Sequence, residues 1–545
     1  MLDFFVSYVD KAQCLSWHVD AAPCEAACPL RIDIEAYISA VRQGDFIKAL
    51  EIIREKCPLP SVCGRVCHHP CETVCKRGEI DESVAIRALK RVVTDLSSEQ
   101  DNPLPLTITQ PYRVAIIGSG PAGLTAAYDL INRGYAVTIY EEAPVAGGML
   151  AVGIPAFDLP KVIVEKEINY VQSLGVEIIT NTSIGCDLTI ADLFANGYHS
   201  VLIAAGAPES RELPIPGTTL KGVIYALPFL RDVKCGKETF LKGKGIVIGG
   251  GNVAIDAART ALRLGADAVE LVCIESHDDM PAFDWMIKLA EAEGIIINPL
   301  LAPEEISGDD DGSVDHVSCR RVISFERDIE EHVNWTLAEG DEAQVILKAE
   351  WVVIAIGQQV RFPCDHKEGT LERTQKGTIT IADNMTTNLD GVFAAGDIVE
   401  MPSTITDSMA SGRKAAESIH CYLQGKKMES NTSCDKQFYK TGGDILPKGI
   451  EYLERQKITC LSVAERVAGF KEVELALSRE EAMREAERCL SCKTCNRCLD
   501  GMTCVAFQST ANNGKISPVV NGLLCEGCGR CARSCPYHNI HVERI

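Results

Sequence analysis

From Tyr112 onward the chain alternates short apolar runs with glycine turns and alanine-rich amphipathic stretches. RVAIIG leads through a glycine turn into PAGLTAAYDLINRG and then into the apolar run AVTIY. Short apolar runs bounded by glycine and followed by helical periodicity read as parallel strands joined by crossover helices. The succession recurs about 130 residues later in GIVIGGGNVAIDAARTALRLG and AVELV. An interval of that length is a duplicated architecture, not a short-period repeat. Before Tyr112 no strand-like run occurs. IDIEAYISAVRQGDFIKALEII and VAIRALKRVVTDL predict short helices wrapped around a cysteine-rich loop, and SSEQDNPLPLTITQP reads as a linker. After residue 425 the texture is polar (GKKMESNTSCDK), then helical (SREEAMREAER), then cysteine-dense.

Composition narrows the class. At 545 residues the chain is too long for one core, and ~3 to 4 domains are expected. The 46% hydrophobic and 24% charged content excludes disorder, collagen and a small disulfide scaffold. Net charge is -22, which argues against nucleic acid or an anionic membrane as partner. No apolar run reaches ~18 residues and the N-terminus lacks a basic flank and a small-residue cleavage site, so no membrane span and a cytoplasmic location are expected. In a reducing compartment 25 cysteines point to metal more than to disulfides. Eight fall between Cys14 and Cys75, nine between Cys489 and Cys535, and eight are scattered between.

Two nucleotide fingerprints carry the middle of the chain. Gly118-x-Gly120-x-x-Gly123 stands between strand and helix, where glycines allow a tight turn and close approach of backbone N–H groups to a pyrophosphate on the helix N-terminus. Twenty-three residues on, Glu141 ends the second strand, placed to accept a hydrogen bond from a ribose. The second fingerprint is Gly249-x-Gly251-x-x-Ala254, with Asn252 beside it, and its strand-end acid is Glu275. A carboxylate there suits the ribose 2'-OH of NAD(H) and repels the 2'-phosphate of NADP(H), and CIESHDD offers no arginine to neutralise one. Downstream, Gly396-Asp397 after GVFAA puts a carboxylate near a polyol hydroxyl, with a helix starting near Ser408 aimed at the same cofactor.

The C-terminal cysteines run Cys492-x2-Cys495-x2-Cys498-x5-Cys504, then Cys525-x2-Cys528-x2-Cys531-x3-Cys535-Pro536. In two-cluster ferredoxins the fourth cysteine of each run crosses to the other cluster. This assigns Cys492, Cys495, Cys498 and Cys535 to one 4Fe-4S cluster, and Cys525, Cys528, Cys531 and Cys504 to a second, with Cys489 spare. The N-terminal set, Cys14, Cys24, Cys28, Cys57, Cys63, Cys67, Cys71 and Cys75, matches no ferredoxin spacing and on its own allows zinc or iron–sulfur. The mid-chain cysteines have no CxxC pairing, so a dithiol relay is not expected.

Over residues of about 15 to 425 the chain resembles the small, NADPH-oxidising subunit of glutamate synthase and its relatives. These include the N-terminal half of dihydropyrimidine dehydrogenase and the large subunit of the electron-bifurcating ferredoxin:NADP transhydrogenase. The stretches that carry it are AAPCEAACP, PLPSVCGRVCHHPCETVC, VAIIGSGPAGLTAA, EEAPVAGGMLAVGIPAFDLPK, VIGGGNVAIDAAR and GVFAAGDI. The resemblance implies an α/β flavoprotein with two Rossmann-type dinucleotide-binding domains of the disulfide-reductase kind. FAD is then held by Gly118, Gly120, Gly123, Glu141, Gly148, Gly396 and Asp397, and the nicotinamide nucleotide by Gly249, Gly251, Asn252, Ala254 and Glu275. It also implies two N-terminal 4Fe-4S clusters with crossed ligation, one taking Cys24 and Cys75, the other Cys28, Cys67 and Cys71.

The sequence departs from that pattern at several places. NADP-using relatives carry a strand-end arginine pair where this chain has Cys273 to Pro281 without arginine, and the arginine of their GIPxFRLPK is Asp158 here. The relatives open with a CxxC pair where only Cys14 stands, and a glutamine ligand of dihydropyrimidine dehydrogenase falls on Lys90; Cys57 and Cys63 could substitute.

The expected organisation is a helical iron–sulfur domain (1–108), an FAD domain in two halves (109–240 and 358–425) around a nicotinamide domain (241–357), a tether (426–485) and a two-cluster ferredoxin-like domain (486–545), with about four clusters in all. The expected function is electron transfer between NAD(H) and a partner redox protein through FAD and the clusters, with no acid–base residue catalytic. Ferredoxin, or a hydrogenase, formate dehydrogenase or transhydrogenase assembly, would be that partner. The alternatives are an NADPH-dependent glutamate synthase small subunit and a non-catalytic relay with a degenerate nicotinamide site.

Overall fold

The computed structural model describes residues 22–97, 101, 103–237, 241–327, 333–362, 371–399, 404–426 and 451–492, and the backbone of 507–512 and 515–520. These divide into two compact units. One holds residues of 103–426 and 459–475, the other residues of 22–101, 451–458 and from 476 on.

The first unit is built on two all-parallel five-stranded sheets. One runs Val392–Ala394, Ser200–Ile203, Arg113–Ile117, Ala136–Tyr140, Glu177–Ile179 in spatial order. The other runs Val223–Tyr225, Trp351–Ile354, Lys244–Ile248, Ala268–Val272, Ile296–Asn298. In Arg113–Ile117 only the first residue is exposed, and Ile116 lies between Ile139 and Leu202 on its neighbours. Burial on both faces is why these strands are unbroken apolar runs instead of alternating ones. The helix Pro121–Asn132 packs against Ile405–Leu423 almost backbone to backbone: a Cβ on Gly412 would lie 2.1 Å from the Ala122 carbonyl oxygen. A four-stranded antiparallel sheet is inserted in the chain between Ile296–Asn298 and Trp351–Ile354 of the second parallel one. Its long strand Val314–Arg327 pairs with Leu301–Gly308, Val333–Leu337 and Gln344–Lys348.

The segment expected to be a tether is divided between the units. Residues of 459–475 join the first unit, where Val473 is buried and its N–H donates to the Phe157 carbonyl at 2.9 Å. The rings of Phe157 and Phe470 lie 6.2 Å apart. Apolar positions at Phe470 and Val473 thus find a core, which a free tether would not supply.

The second unit is helical in its described residues up to Cys492, and beyond them Phe507–Asn512 pairs antiparallel with Lys515–Val520. Asp33 caps Ile34–Arg42, Asp45 caps Phe46–Arg54, and Ile86–Ser97 follows the cysteine loop. Tyr37, Ile38, Val41, Ile53, Leu89 and Val93 are buried. SREEAMREAER supplies a further helix, Arg479–Glu487, capped by Ser478. Cysteines sit where helices stop: Cys28 and Cys67 are extended residues at the C-termini of Pro23–Ala27 and Pro60–Val66. For Cys28 the following Pro29 enforces that conformation. Among the described residues no helix is long and apolar enough to cross a membrane.

Candidate functional site

The two fingerprints fold alike. Gly118 and Gly249 take φ of +101° and +137°, and a Cβ on either would strike a carbonyl oxygen, that of Ala204 at 2.4 Å or Ala355 at 2.2 Å. Only glycine fits there. The third position of the first fingerprint is equally tight, with a Cβ on Gly123 falling 2.0 Å from the Gly118 oxygen. The middle glycines are the opposite: beside Gly120 and Gly251 a Cβ would meet nothing within 4 Å. Each is the N-cap of a helix, Pro121–Asn132 or Asn252–Arg263. An open glycine at a helix N-terminus is a cradle for an anionic group, so the residues present fit a dinucleotide pyrophosphate at both places.

Around the first cradle Glu141 is buried and accepts from Ser119 through both the backbone N–H, at 3.0 Å, and the hydroxyl. Its other oxygen accepts from the Ala143 N–H at 2.9 Å. The Ser119 hydroxyl also accepts from the Gly147 N–H at 2.8 Å, which ties the fingerprint to the Gly147–Gly148 turn. Sequence reasoning passed over Ser119, whose signal is a small hydroxyl between the first two glycines. Asp397 accepts from the Ser408 hydroxyl at 3.1 Å, and the Gly396 N–H donates to Ser411 at 3.0 Å. The helix there starts at Ile405 and not near Ser408, because Thr404 and Asp407 form a capping box.

At the second cradle Glu275 is buried, and a Cβ on Gly250 would come within 2.9 Å of its carboxylate. Asn252 accepts from the Phe283 N–H at 2.9 Å through its side-chain oxygen and so fixes the following loop. His277 is turned to Glu291 at 3.0 Å, and that hydrogen bond holds its imidazole above the ordinary histidine range. Asp278 and Asp279 are exposed, so the strand end is acidic.

Asp158, which replaces the relatives' arginine, belongs to a buried network. Its oxygens accept from Arg259 at 3.0 and 3.2 Å, while Arg259 and Arg263 both grip Glu293. The two guanidinium carbons lie 4.5 and 3.9 Å from the Phe157 ring centre. Asp256 stands beside this network with a buried oxygen that has no hydrogen-bond partner, and burial followed by the Asp158 charge drives its pKa well up.

The cysteines of the helical unit fall into two groups. Cys28, Cys57, Cys63, Cys67 and Cys71 are buried, with the Cys57 and Cys63 sulfurs 3.7 Å apart and the His69 N–H donating to the Cys67 sulfur at 3.3 Å. Lys90 is 5% exposed; burial lowers its amine pKa, but Cys63, Cys57, Tyr37 and Cys67 outweigh that and hold it high. A buried set of soft sulfur donors with one cation fits an anionic iron–sulfur cluster. The second group is Cys24, Cys75, Cys489 and Cys492, which line one cavity. Cys492, grouped by spacing with the C-terminal array, thus lies with Cys24. Cys14 and Cys495 to Cys535 lie outside the described residues.

Comparison with known proteins agrees with this architecture. The profile of the pyridine nucleotide-disulphide oxidoreductase family matches residues 112–412, and that of dihydropyrimidine dehydrogenase domain II, 4Fe-4S cluster, matches 8–102. The chain is 38% identical over 505 residues to the NADP(+)-dependent formate dehydrogenase subunit beta of Moorella thermoacetica, covering 86% of this chain and 70% of that protein. It is 33% identical over 420 residues to the NAD-dependent dihydropyrimidine dehydrogenase subunit PreT of Escherichia coli, covering 76% and 94%. Mycobacterium tuberculosis FprA in complex with NADPH shares the fold at a TM-score of 0.50 and 21% identity, over 58% of this chain and 85% of that one.

Proposed function

This chain belongs to the pyridine nucleotide-disulphide oxidoreductase family, and we propose that it passes electrons between NAD(H) and a partner redox protein as one subunit of a larger complex. The observation that carries the reading is the pair of open glycine cradles, each with a buried strand-end glutamate, in a chain that also has an iron–sulfur domain. Gly120 and the helix behind it would hold the FAD pyrophosphate, with Glu141 and Asp397 on its hydroxyls. Gly251 would do the same for the nicotinamide nucleotide, with Glu275 accepting from the ribose 2'-OH. A bound flavin supplies the exchange between the two electrons of a nicotinamide and the single electrons of a cluster.

The protein's own part is positioning and charge. Glu275, with Asp278 and Asp279 near it, disfavours a 2'-phosphate, which makes NADH the preferred donor, although the Moorella relative is named for NADP. With no CxxC pair in residues 112–412, electrons leave through clusters to a ferredoxin or to a hydrogenase-, formate dehydrogenase- or transhydrogenase-type partner. The five buried N-terminal thiols, Cys28, Cys57, Cys63, Cys67 and Cys71, would supply the four ligands of one cluster beside Lys90, and residues 486–545, with the array from Cys492 to Cys535, form a ferredoxin-like domain.

Anaerobic stopped-flow mixing of the purified protein with NADH and with NADPH tests this. We expect flavin bleaching by NADH at least about tenfold faster than by NADPH, corresponding to roughly 1.4 kcal/mol of discrimination. Bleaching by NADPH alone overturns the choice of nucleotide, and bleaching by neither overturns the reading as an electron-input subunit.

A further inference from the structure

Four cysteines from three separate stretches of chain surround one cavity of the helical unit. Cys24 lies on Pro23–Ala27, Cys75 precedes the turn Lys76–Glu79, and Cys489 and Cys492 follow the helix Arg479–Glu487. Ile34 and Ile38, both buried, complete an apolar lining. We infer that Cys24, Cys75, Cys489 and Cys492 are the four ligands of one 4Fe-4S cluster, so that the chain beyond the flavoprotein unit returns to finish a site begun near the N-terminus. This rests on the iron–sulfur reading above and adds to it the ligand set.

Three observations carry it. First, all four cysteines line the same cavity, with Ala22, Pro23, Ile34 and Ile38 between them. Second, the approach is built and not incidental. Arg488, next to Cys489 and 1% exposed, donates to Asp81 at 2.9 Å, to Glu485 at 2.6 Å and to the carbonyls of Ser83, Glu82 and Leu453. Asp81 also pairs with Arg77, two residues past Cys75, and Glu485 accepts from the N–H groups of Ala85 at 2.8 Å and Gln456 at 2.8 Å. These bonds join the segments that carry Cys75 and Cys489. Third, a cube takes its thiolates at separate corners, and these four stand around a cavity instead of converging on one point. The x2 spacing of Cys489 and Cys492 suits adjacent corners.

Assembly would consume ferrous and ferric iron and inorganic sulfide; each thiol gives its proton to solvent and its sulfur bonds one iron. The C-terminal array then keeps Cys495, Cys498, Cys504, Cys525, Cys528, Cys531 and Cys535, seven thiols instead of eight.

The test is iron and sulfide per flavin in the full chain purified without oxygen, alongside electron paramagnetic resonance of the reduced protein. The variants are Cys24→Ser/Cys75→Ser, Cys489→Ser/Cys492→Ser and all four together. We expect each pair to lose about four irons and the same resonance, and the fourfold variant to lose no more than either pair. A loss of about eight irons in the fourfold variant overturns the shared site while leaving the iron–sulfur reading standing; a wild-type protein without iron overturns both. Should a double variant fail to fold, Cys24→Ser alone suffices. Alkylation of Cys489 and Cys492, protected in the native protein, should then rise at least about tenfold, and unchanged protection overturns the assignment.

Discussion

Gly251 and Gly249 stand two residues apart and fail in different ways. A methyl group on Gly249 collides with Ala355 and is strained at positive φ, whereas on Gly251, at φ -89°, it stands in open space that a pyrophosphate would need. Gly251→Ala should therefore keep the wild-type melting temperature and flavin spectrum while weakening NADH binding at least about tenfold, read from the concentration dependence of flavin bleaching. Glu275 sets which nucleotide is read, and Glu275→Gln should narrow the NADH preference by about tenfold with flavin content unchanged. Asp256 makes a pH prediction. Burial pushes up both neighbouring carboxyls, but Asp158 has the Arg259 guanidinium against it and Asp256 has an oxygen without a partner, so the shared proton favours Asp256. The folded state then binds a proton that the unfolded chain releases above about pH 3.9, and stability falls as pH rises, by up to about tenfold in the unfolding constant per pH unit. Asp256→Asn should flatten the fall in melting temperature between pH 5 and 7.5. Lys234, pushed down to about 8 by burial, begins to lose its own proton at the top of that window, in the wild type and the variant alike.

Elements repeat the contrast between what a local pattern encodes and what distant packing decides. The helix Ile405–Leu423 is read from its own capping box, but its contact with Pro121–Asn132 depends on Gly412 being bare. Gly412→Ala must drive the helices apart at a cost of about 1–3 kcal/mol. Because the Ala122 that Gly412 touches lies two residues from Gly120, where the flavin pyrophosphate is proposed to sit, we expect lost flavin, measured as the ratio of flavin to protein absorbance, before lost secondary structure. Strand, glycine turn, helix and strand-end acid were all legible in the sequence, since each occupies fewer than about thirty residues and obeys a fixed period. The four-stranded antiparallel sheet was not: Asp311-Gly312 does mark the hairpin of Leu301–Gly308 with Val314–Arg327, but nothing local to the chain pairs Val314–Arg327 with Gln344–Lys348. Asp158 was visible only as a departure; that it complements Arg259 requires a contact 101 residues away.

Across the whole chain the cysteines show the same limit most clearly. Spacing alone placed Cys492 with its neighbours toward the C-terminus, since sequence distance is the only distance a sequence offers, yet Arg488 meets Asp81 across 407 residues. That ion pair is buried at both ends, with side-chain exposures of 1% and 1%, and Glu485 is fully enclosed. Arg77 beside Asp81 holds that carboxyl well below the usual carboxylate range. A buried charge network of this kind is weak as a source of stability but costly to break from one side, by up to about 3–5 kcal/mol, because without Arg488 the buried Asp81 is left to Arg77 and the buried Glu485 to the N–H groups of Ala85 and Gln456. Arg488→Met should therefore leave the nucleotide unit intact, since that unit has its own cores around the two parallel sheets. NADH should still bleach the flavin at the wild-type rate. The helical unit should lose iron, and reduction of a one-electron acceptor by way of the clusters should fall at least about tenfold. Loss of flavin reduction together with iron would mean that the two units do not fold independently, and the clamp would then be supporting the whole molecule instead of one metal site.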